Sequence, residues 1–104
     1  MSRHREVFEV FAGKAEEQLG DSLKQLYLYG SVARGVETSE SDVDIFAVVE
    51  DEGDLEELRE LAYDLGVLDN GVVLNVQGRT KRSFNGFEAT SYLRNISREG
   101  VRYA

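Results

Sequence analysis

Residues 28–49 read LYGSVARGVETSESDVDIFAVV. An apolar run stops abruptly at Gly30-Ser31, and a second one begins at Asp42-Val43-Asp44. Leu26-Tyr27-Leu28-Tyr29 is short, apolar and aromatic, and a glycine ends it, which is the pattern of a buried strand. Asp42 to Val49 gives a second strand, opened by two carboxylates. Gly30 to Ser41, between them, is rich in Gly, Ser and Glu and shows no apolar period. It reads as a loop with a short helix beginning near Ser31.

The chemistry of this stretch follows from its residue types. A glycine at a strand end lets the backbone turn sharply and lets a bulky anion approach the main chain. If a helix starts just after it, the unpaired N–H groups and partial positive charge of that helix face the anion. Ser31 can donate its hydroxyl to a phosphate oxygen, and the Arg34 guanidinium can clamp a phosphate or an acidic side chain. Gly-Ser in a loop is common on its own, and a lone arginine there is as readily a structural ion pair. Asp42 and Asp44 add weight. Two positions apart on a strand, their carboxylates project from one face, with Cα atoms roughly 6.5–7 Å apart. Such a pair resists joint ionisation unless a cation sits between. Hard oxygen ligands in this arrangement suit magnesium. The strand is otherwise Val43, Ile45, Phe46, Ala47, Val48 and Val49, so charges at its entrance are costly without a partner.

Outward from this core, Val7, Phe8, Phe11, Ala12, Ala15 and Leu19 trace one helix face, with Gly20 as its stop. Downstream, Asp54 with Glu57 has the form of a helix N-terminal box. Leu55, Leu58, Leu61, Ala62 and Leu65 mark the face of that helix, and Gly66 its end. Asp69-Asn70-Gly71 is turn chemistry. It leads to a third strand, Val72 to Gln77, ending at Gly78. From about Lys81, the residues Phe84, Phe87, Tyr92, Leu93 and Ile96 suggest a less regular helix, followed by an extended tail from Val101 to Ala104. The expected order is helix, strand, strand, helix, strand, helix. That is a small α/β (α+β) fold, with a mixed sheet of three or four strands packed on helices and residues 1–104 as a single domain.

Composition narrows the chemistry. The chain has 104 residues and no cysteine, so disulfides and thiolate catalysis are excluded. Its one histidine, His4, is expected in a mobile terminus, which leaves no imidazole zinc site and no credible Ser-His-Asp triad. Carboxylates, hydroxyls, arginines and backbone amides remain. No run approaches the ~18 apolar residues of a membrane span. The start lacks the apolar stretch of a secretory signal, so the chain is expected to be cytoplasmic. The net charge of −8 disfavours non-specific nucleic-acid binding and calls for a cation if a triphosphate is bound. An acidic surface with few lysines would also suit a high-salt cytoplasm, though an ordinary acidic protein has the same composition.

Gly30-Ser31-Val32-Ala33-Arg34-Gly35, five residues, then Ser41-Asp42-Val43-Asp44-Ile45 resembles the signature of the minimal nucleotidyltransferases, small prokaryotic members of the DNA polymerase beta superfamily. Tyr92 to Val101 also resembles the end of one subgroup, so the likeness spans nearly the whole chain. The resemblance implies a polymerase-beta-like fold and magnesium-dependent transfer of a nucleoside monophosphate, with pyrophosphate leaving. By the same resemblance Gly30 and Ser31 hold the triphosphate, Arg34 supports that loop, and Asp42 and Asp44 are the metal ligands and catalytic acids. It further implies ATP as donor and a small helical partner of the HEPN type, with some members acting as antitoxins that place AMP on the partner's tyrosine.

One departure stands out. Complete members carry a third carboxylate on a later strand, as base for the incoming hydroxyl. Here the third strand offers Asn75, on one face with Val73 and Gln77, and a neutral amide cannot take a proton at pH 7. Asp69 lies nearby in sequence. The alternative to an enzyme is therefore a binding module with a decayed site that neutralises a partner by contact. Arg94, Arg98 and Arg102 could line a partner surface or form a solvated face. Edge strands in so small a sheet leave room for self-association.

Overall fold

The computed structural model describes residues 2–83 and 100–103. Helix α1 (Arg3–Leu19) starts at Ser2, whose side chain accepts from the Arg5 N–H, and a 3-10 turn (Gly20–Ser22) follows it. Strand β1 (Leu23–Tyr29) leads directly into the short helix α2 (Gly30–Arg34). Then come strand β2 (Val43–Val49), helix α3 (Glu52–Ala62), a π-helical extension (Tyr63–Leu68), strand β3 (Leu74–Thr80) and a short strand β4 (Val101–Arg102).

The sheet order is β3-β2-β1-β4. β1 is antiparallel to β2 and β4, and β3 is parallel to β2, as the crossover through α3 requires. This is the mixed α+β sheet expected from the sequence. The 3.6-residue apolar period of α1 and the alternation of β2 meet on one face. Phe8, Phe11 and Ala15 pack with Leu28, Ile45, Ala47, Leu58 and Val76 in a single core. On the opposite face Phe46 and Val48 are buried beside Tyr27 and Tyr29. Tyr103 donates its N–H to the Leu26 carbonyl at 2.8 Å and sets its ring edge-on to Phe8, tying the end of the chain to α1.

Several boundaries differ from the sequence reading, each for a local reason. β1 begins at Leu23, because ladder pairing to β2 carries the polar Lys24 and Gln25 into the sheet. β2 starts at Val43, with Asp42 just outside it. The cap of α3 is Asp51, and Asp54 is the third helical residue, its carboxylate accepting from the Asp51 N–H at 3.0 Å. Gly66 does not stop the helix. It lies inside the π-helical extension, where an added Cβ would sit 2.5 Å from the Val72 carbonyl oxygen and 2.9 Å from Leu74 Cγ. The helical stretch runs to residue 70 and gives way at Gly71, whose φ is 68°. Gly78 is interior to β3, because Leu55 and the Ala47 carbonyl press on it within 2.7 Å of a notional Cβ. His4 is buried within the first turn of α1, not in a loose terminus. Residues 81–83 are helical. Phe84, Phe87, Tyr92, Leu93, Arg94, Ile96 and Arg98 lie outside the described residues.

Candidate active site where strands β1 and β2 meet

Antiparallel pairing sets Tyr29, the last residue of β1, opposite Asp44, the second residue of β2. The Gly-Ser turn is thereby brought against the Asp-x-Asp strand. Gly30 adopts φ 76°, a left-handed conformation that disfavours a side chain. A Cβ on Gly30 would also overlap the Asp44 carboxylate. Two segments that are 14 residues apart in sequence are therefore in direct contact, and glycine is needed there on two counts.

Asp44 is half-buried. Parallel register places Asn75 of β3 beside it, and the Asn75 amide donates to Asp44 Oδ1 over a long 3.4 Å. Gln77 in turn donates to Asn75 Oδ1, also at 3.4 Å. Alternation on β3 thus puts Asn75 and Gln77 on the site face, as the sequence pattern indicates. Asp42 is exposed, immediately before Val43, whose N–H is fixed by the Val73 carbonyl at 2.9 Å. Among the described residues no ion pair reaches Asp42 or Asp44, and no group of three or more His, Cys, Asp or Glu side chains could hold a metal ion. Among the described residues the carboxylates at the site are thus a pair, and Asp69, at the end of the helical extension, does not complete a triad with them.

Ser31 is half-buried in the first turn of α2, and its carbonyl accepts from the Val36 N–H at 3.0 Å. Arg34 is exposed in the last turn of the same helix, and Gly35 closes it in the left-handed region at φ 72°, ψ 24°. Gly30, Ser31, Asp42 and Asp44 thus gather where the two strands meet, and Arg34 stands at the far end of α2.

The sequence reading missed a groove of about 620 Å³ beside Asn75, lined by Tyr29, Phe46, Gln77, Gly78 and Arg79 among others. Alternation along β1, β2 and β3 carries the signal for it, since each of these side chains except Gly78 falls on the strand face opposite the main core. A larger cavity, about 910 Å³, lies elsewhere, at the start of α1, and neither Asp42 nor Asp44 lines it. A triphosphate tail is held by charge and hydrogen-bond donors rather than by an apolar enclosure.

The family model described as a nucleotidyltransferase domain matches residues 11–103. A Methanocaldococcus jannaschii protein, provisionally named a protein adenylyltransferase, is 33% identical over 90 residues, covering 86% of this chain and 87% of its own length. Among solved structures, a toxin–antitoxin complex with AMP-PNP shares the fold at TM-score 0.58 and 23% identity, over 90% of this chain and 70% of the other. A provisionally assigned nucleotidyltransferase from Sulfolobus solfataricus does so at TM-score 0.54 and 17% identity, over 97% of this chain and 79% of the other. A family match over nearly the whole chain, on a fold whose Gly-Ser turn abuts its Asp-x-Asp strand, establishes that this protein belongs to the nucleotidyltransferase domain family.

Proposed function

We propose that this nucleotidyltransferase domain moves AMP from ATP to a hydroxyl on a protein, with magnesium, in the cytoplasm, and that the acceptor is a tyrosine of a small helical partner of the HEPN type, which it thereby restrains as an antitoxin. The observation that carries this reading is the contact of Gly30 with the Asp44 carboxylate. It sets the turn proposed to bind phosphate against the strand proposed to bind the metal. The archaeal relative's name supports protein as the acceptor class, and the toxin–antitoxin fold neighbour with AMP-PNP supports an adenine nucleotide as donor.

The residues present fit magnesium. This ion is commonly held by one or two carboxylates and completes its shell with waters and substrate phosphates. Asp42 and Asp44 supply that pair, with no competing cation among the described residues. When bound, magnesium supplies charge neutralisation and polarisation of the phosphoryl oxygens. Gly30 and Ser31 hold the β and γ phosphates through backbone N–H groups and the Ser31 hydroxyl, and Arg34 supports the turn. Asn75 holds Asp44 Oδ1 from the other side. The acceptor oxygen bonds to the α-phosphorus as the bond to the bridging oxygen breaks, and pyrophosphate leaves. Asn75 cannot take the acceptor's proton, which passes to solvent or to a group on the partner. The rate gain comes from positioning and electrostatics.

The amide at Asn75 favours a second reading, in which the domain restrains its partner by contact alone. The two separate in one experiment: α-labelled ATP, magnesium, the domain and its candidate partner. Label on the partner with wild type, and none with Asp42→Asn/Asp44→Asn, is the expected result. No label despite a stable complex would establish the contact-only reading.

A further inference from the structure

Strand register lays out the sheet face opposite the main core. Tyr29, Asp44 and Asn75 form one row across β1, β2 and β3, and Tyr27, Phe46 and Gln77 form the next. Side chains paired in this way point to the same face. Asp44 therefore has a neighbour on each side, and the two neighbours engage different oxygens. Oδ2 lies against the Gly30 turn, where it is the first atom that an added Cβ would strike. Oδ1 accepts from the Asn75 amide at 3.4 Å. The Asn75 oxygen accepts in turn from the Gln77 amide at 3.4 Å. An amide has one accepting and one donating end, so this second bond keeps the NH2 end of Asn75 toward Asp44.

The number of cations at the site depends on what surrounds this carboxylate. In-line displacement at phosphorus is often served by two metal ions about 3.5–4 Å apart, one on the attacking oxygen and one on the leaving oxygen. Two dications that close repel strongly, and anionic oxygens around them have to offset that repulsion. On its β3 side Asp44 meets N–H hydrogens, which carry partial positive charge and have no lone pair to give. A second cation on that side would have to displace the Asn75 bond and would gain no anionic ligand in return. Among the described residues no group of three or more His, Cys, Asp or Glu side chains could hold a metal ion. Asp42 and Asp44 suffice for one, since magnesium is commonly held by one or two carboxylates, waters and substrate phosphates.

We infer that the Asn75 amide limits the site to one divalent cation, held by Asp42 and Asp44 and shared with the triphosphate, so that no second metal meets the acceptor hydroxyl. This limit rests on the proposed reading of Asp42 and Asp44 as metal ligands and adds a number to it. Asn75 acts through Asp44 and is a positioning residue. Its side chain is close in size to that of aspartate, so Asn75→Asp places an anionic oxygen beside Asp44 with little other change.

Counting metal, rather than turnover, tests this. The protein is dialysed to equilibrium against a non-hydrolysable ATP analogue and manganese, which replaces magnesium and gives an EPR signal. The manganese and analogue retained by the protein are then measured. Wild type should retain one manganese for each analogue, with the spectrum of an isolated ion. Asn75→Asp should retain two, with the broadened spectrum of coupled ions about 3.5–4 Å apart. Two per analogue in wild type would overturn the inference and leave the transfer reading standing. One per analogue in a folded Asn75→Asp would overturn the role given to Asn75. If that variant does not fold, the wild-type count decides alone. Equal retention of manganese by wild type and Asp42→Asn/Asp44→Asn would remove the two aspartates as ligands, and the transfer reading would fall together with the inference.

Discussion

Gly30 and Gly35 bracket α2 with nearly the same backbone conformation, φ 76° and 72°. A side chain is strained at either. Their surroundings differ completely. A Cβ on Gly30 would strike the Asp44 carboxylate, whereas nothing lies within 4 Å of one on Gly35. Gly30 faces an acidic junction of two strands, while Gly35 lines the cavity at the start of α1. The same residue type thus answers a backbone requirement at one end of a five-residue helix, and both a backbone and a packing requirement at the other.

The contrast can be broken at several points. The largest effect is expected at Asn75, which stands beside Asp44 where a base would act. Asn75→Asp adds a carboxylate at almost constant volume. It should raise label transfer by up to about 10²–10⁴-fold at equal magnesium, the usual range for a positioned general base. A folded, metal-binding Asn75→Asp that gains nothing would move the proton acceptor to solvent or the partner.

The two glycines give a sharper pair. Each change to alanine should cost about 1–2 kcal/mol of stability from backbone strain, read from denaturant midpoints. Gly30→Ala should in addition displace Asp44 and abolish magnesium binding by calorimetry, while Gly35→Ala keeps it. Equal metal affinity in the two variants would mean that the Gly30–Asp44 contact is dispensable. Ser31→Ala keeps the backbone turn and removes one hydroxyl. ATP affinity in magnesium should fall by about 1.5–3 kcal/mol if that hydroxyl donates to a phosphate, and an unchanged affinity leaves the grip to backbone N–H groups alone.

The smallest effect belongs to Glu37, beyond the Gly35 end. The Glu37 carboxyl titrates below its ordinary value near 4.5 because of the Ser2 hydroxyl first and the His4 and Arg5 charges last. A depressed carboxyl contributes stability that is fully present above the unfolded value and is lost as pH falls through the folded one. Wild type should therefore be slightly more stable than Glu37→Gln at neutral pH, and the difference should fade on acidification through the lowered folded-state value. A difference that persists at low pH would mean that Glu37 acts through packing rather than charge.

Much of the fold is legible in local patterns. The apolar period of residues 7–19 specifies the buried face of α1, and the alternation in residues 43–49 specifies both faces of β2. Asn75 could be assigned to the face that proves to be Asp44's because strand alternation is a property of the chain alone. The helix around Gly66 was misjudged because a glycine signals a stop only when nothing else needs its small size. Here Val72 and Leu74, six and eight residues later, occupy the space of its side chain.

The residue set is legible in the chain alone: a Gly-Ser turn, two aspartates separated by one residue, an amide where a third acid is expected, and the family to which these belong. Each depends on residues close together in the chain, where φ/ψ preference and side-chain period act directly. The folded chain alone shows that Gly30 leans on Asp44, that Asn75 holds the same carboxylate, and that His4 is buried. Those facts rest on the register of β1 and β3 against β2 and on the docking of α1. Core packing among residues far apart in sequence fixes that register and that docking, and no short stretch of sequence encodes them.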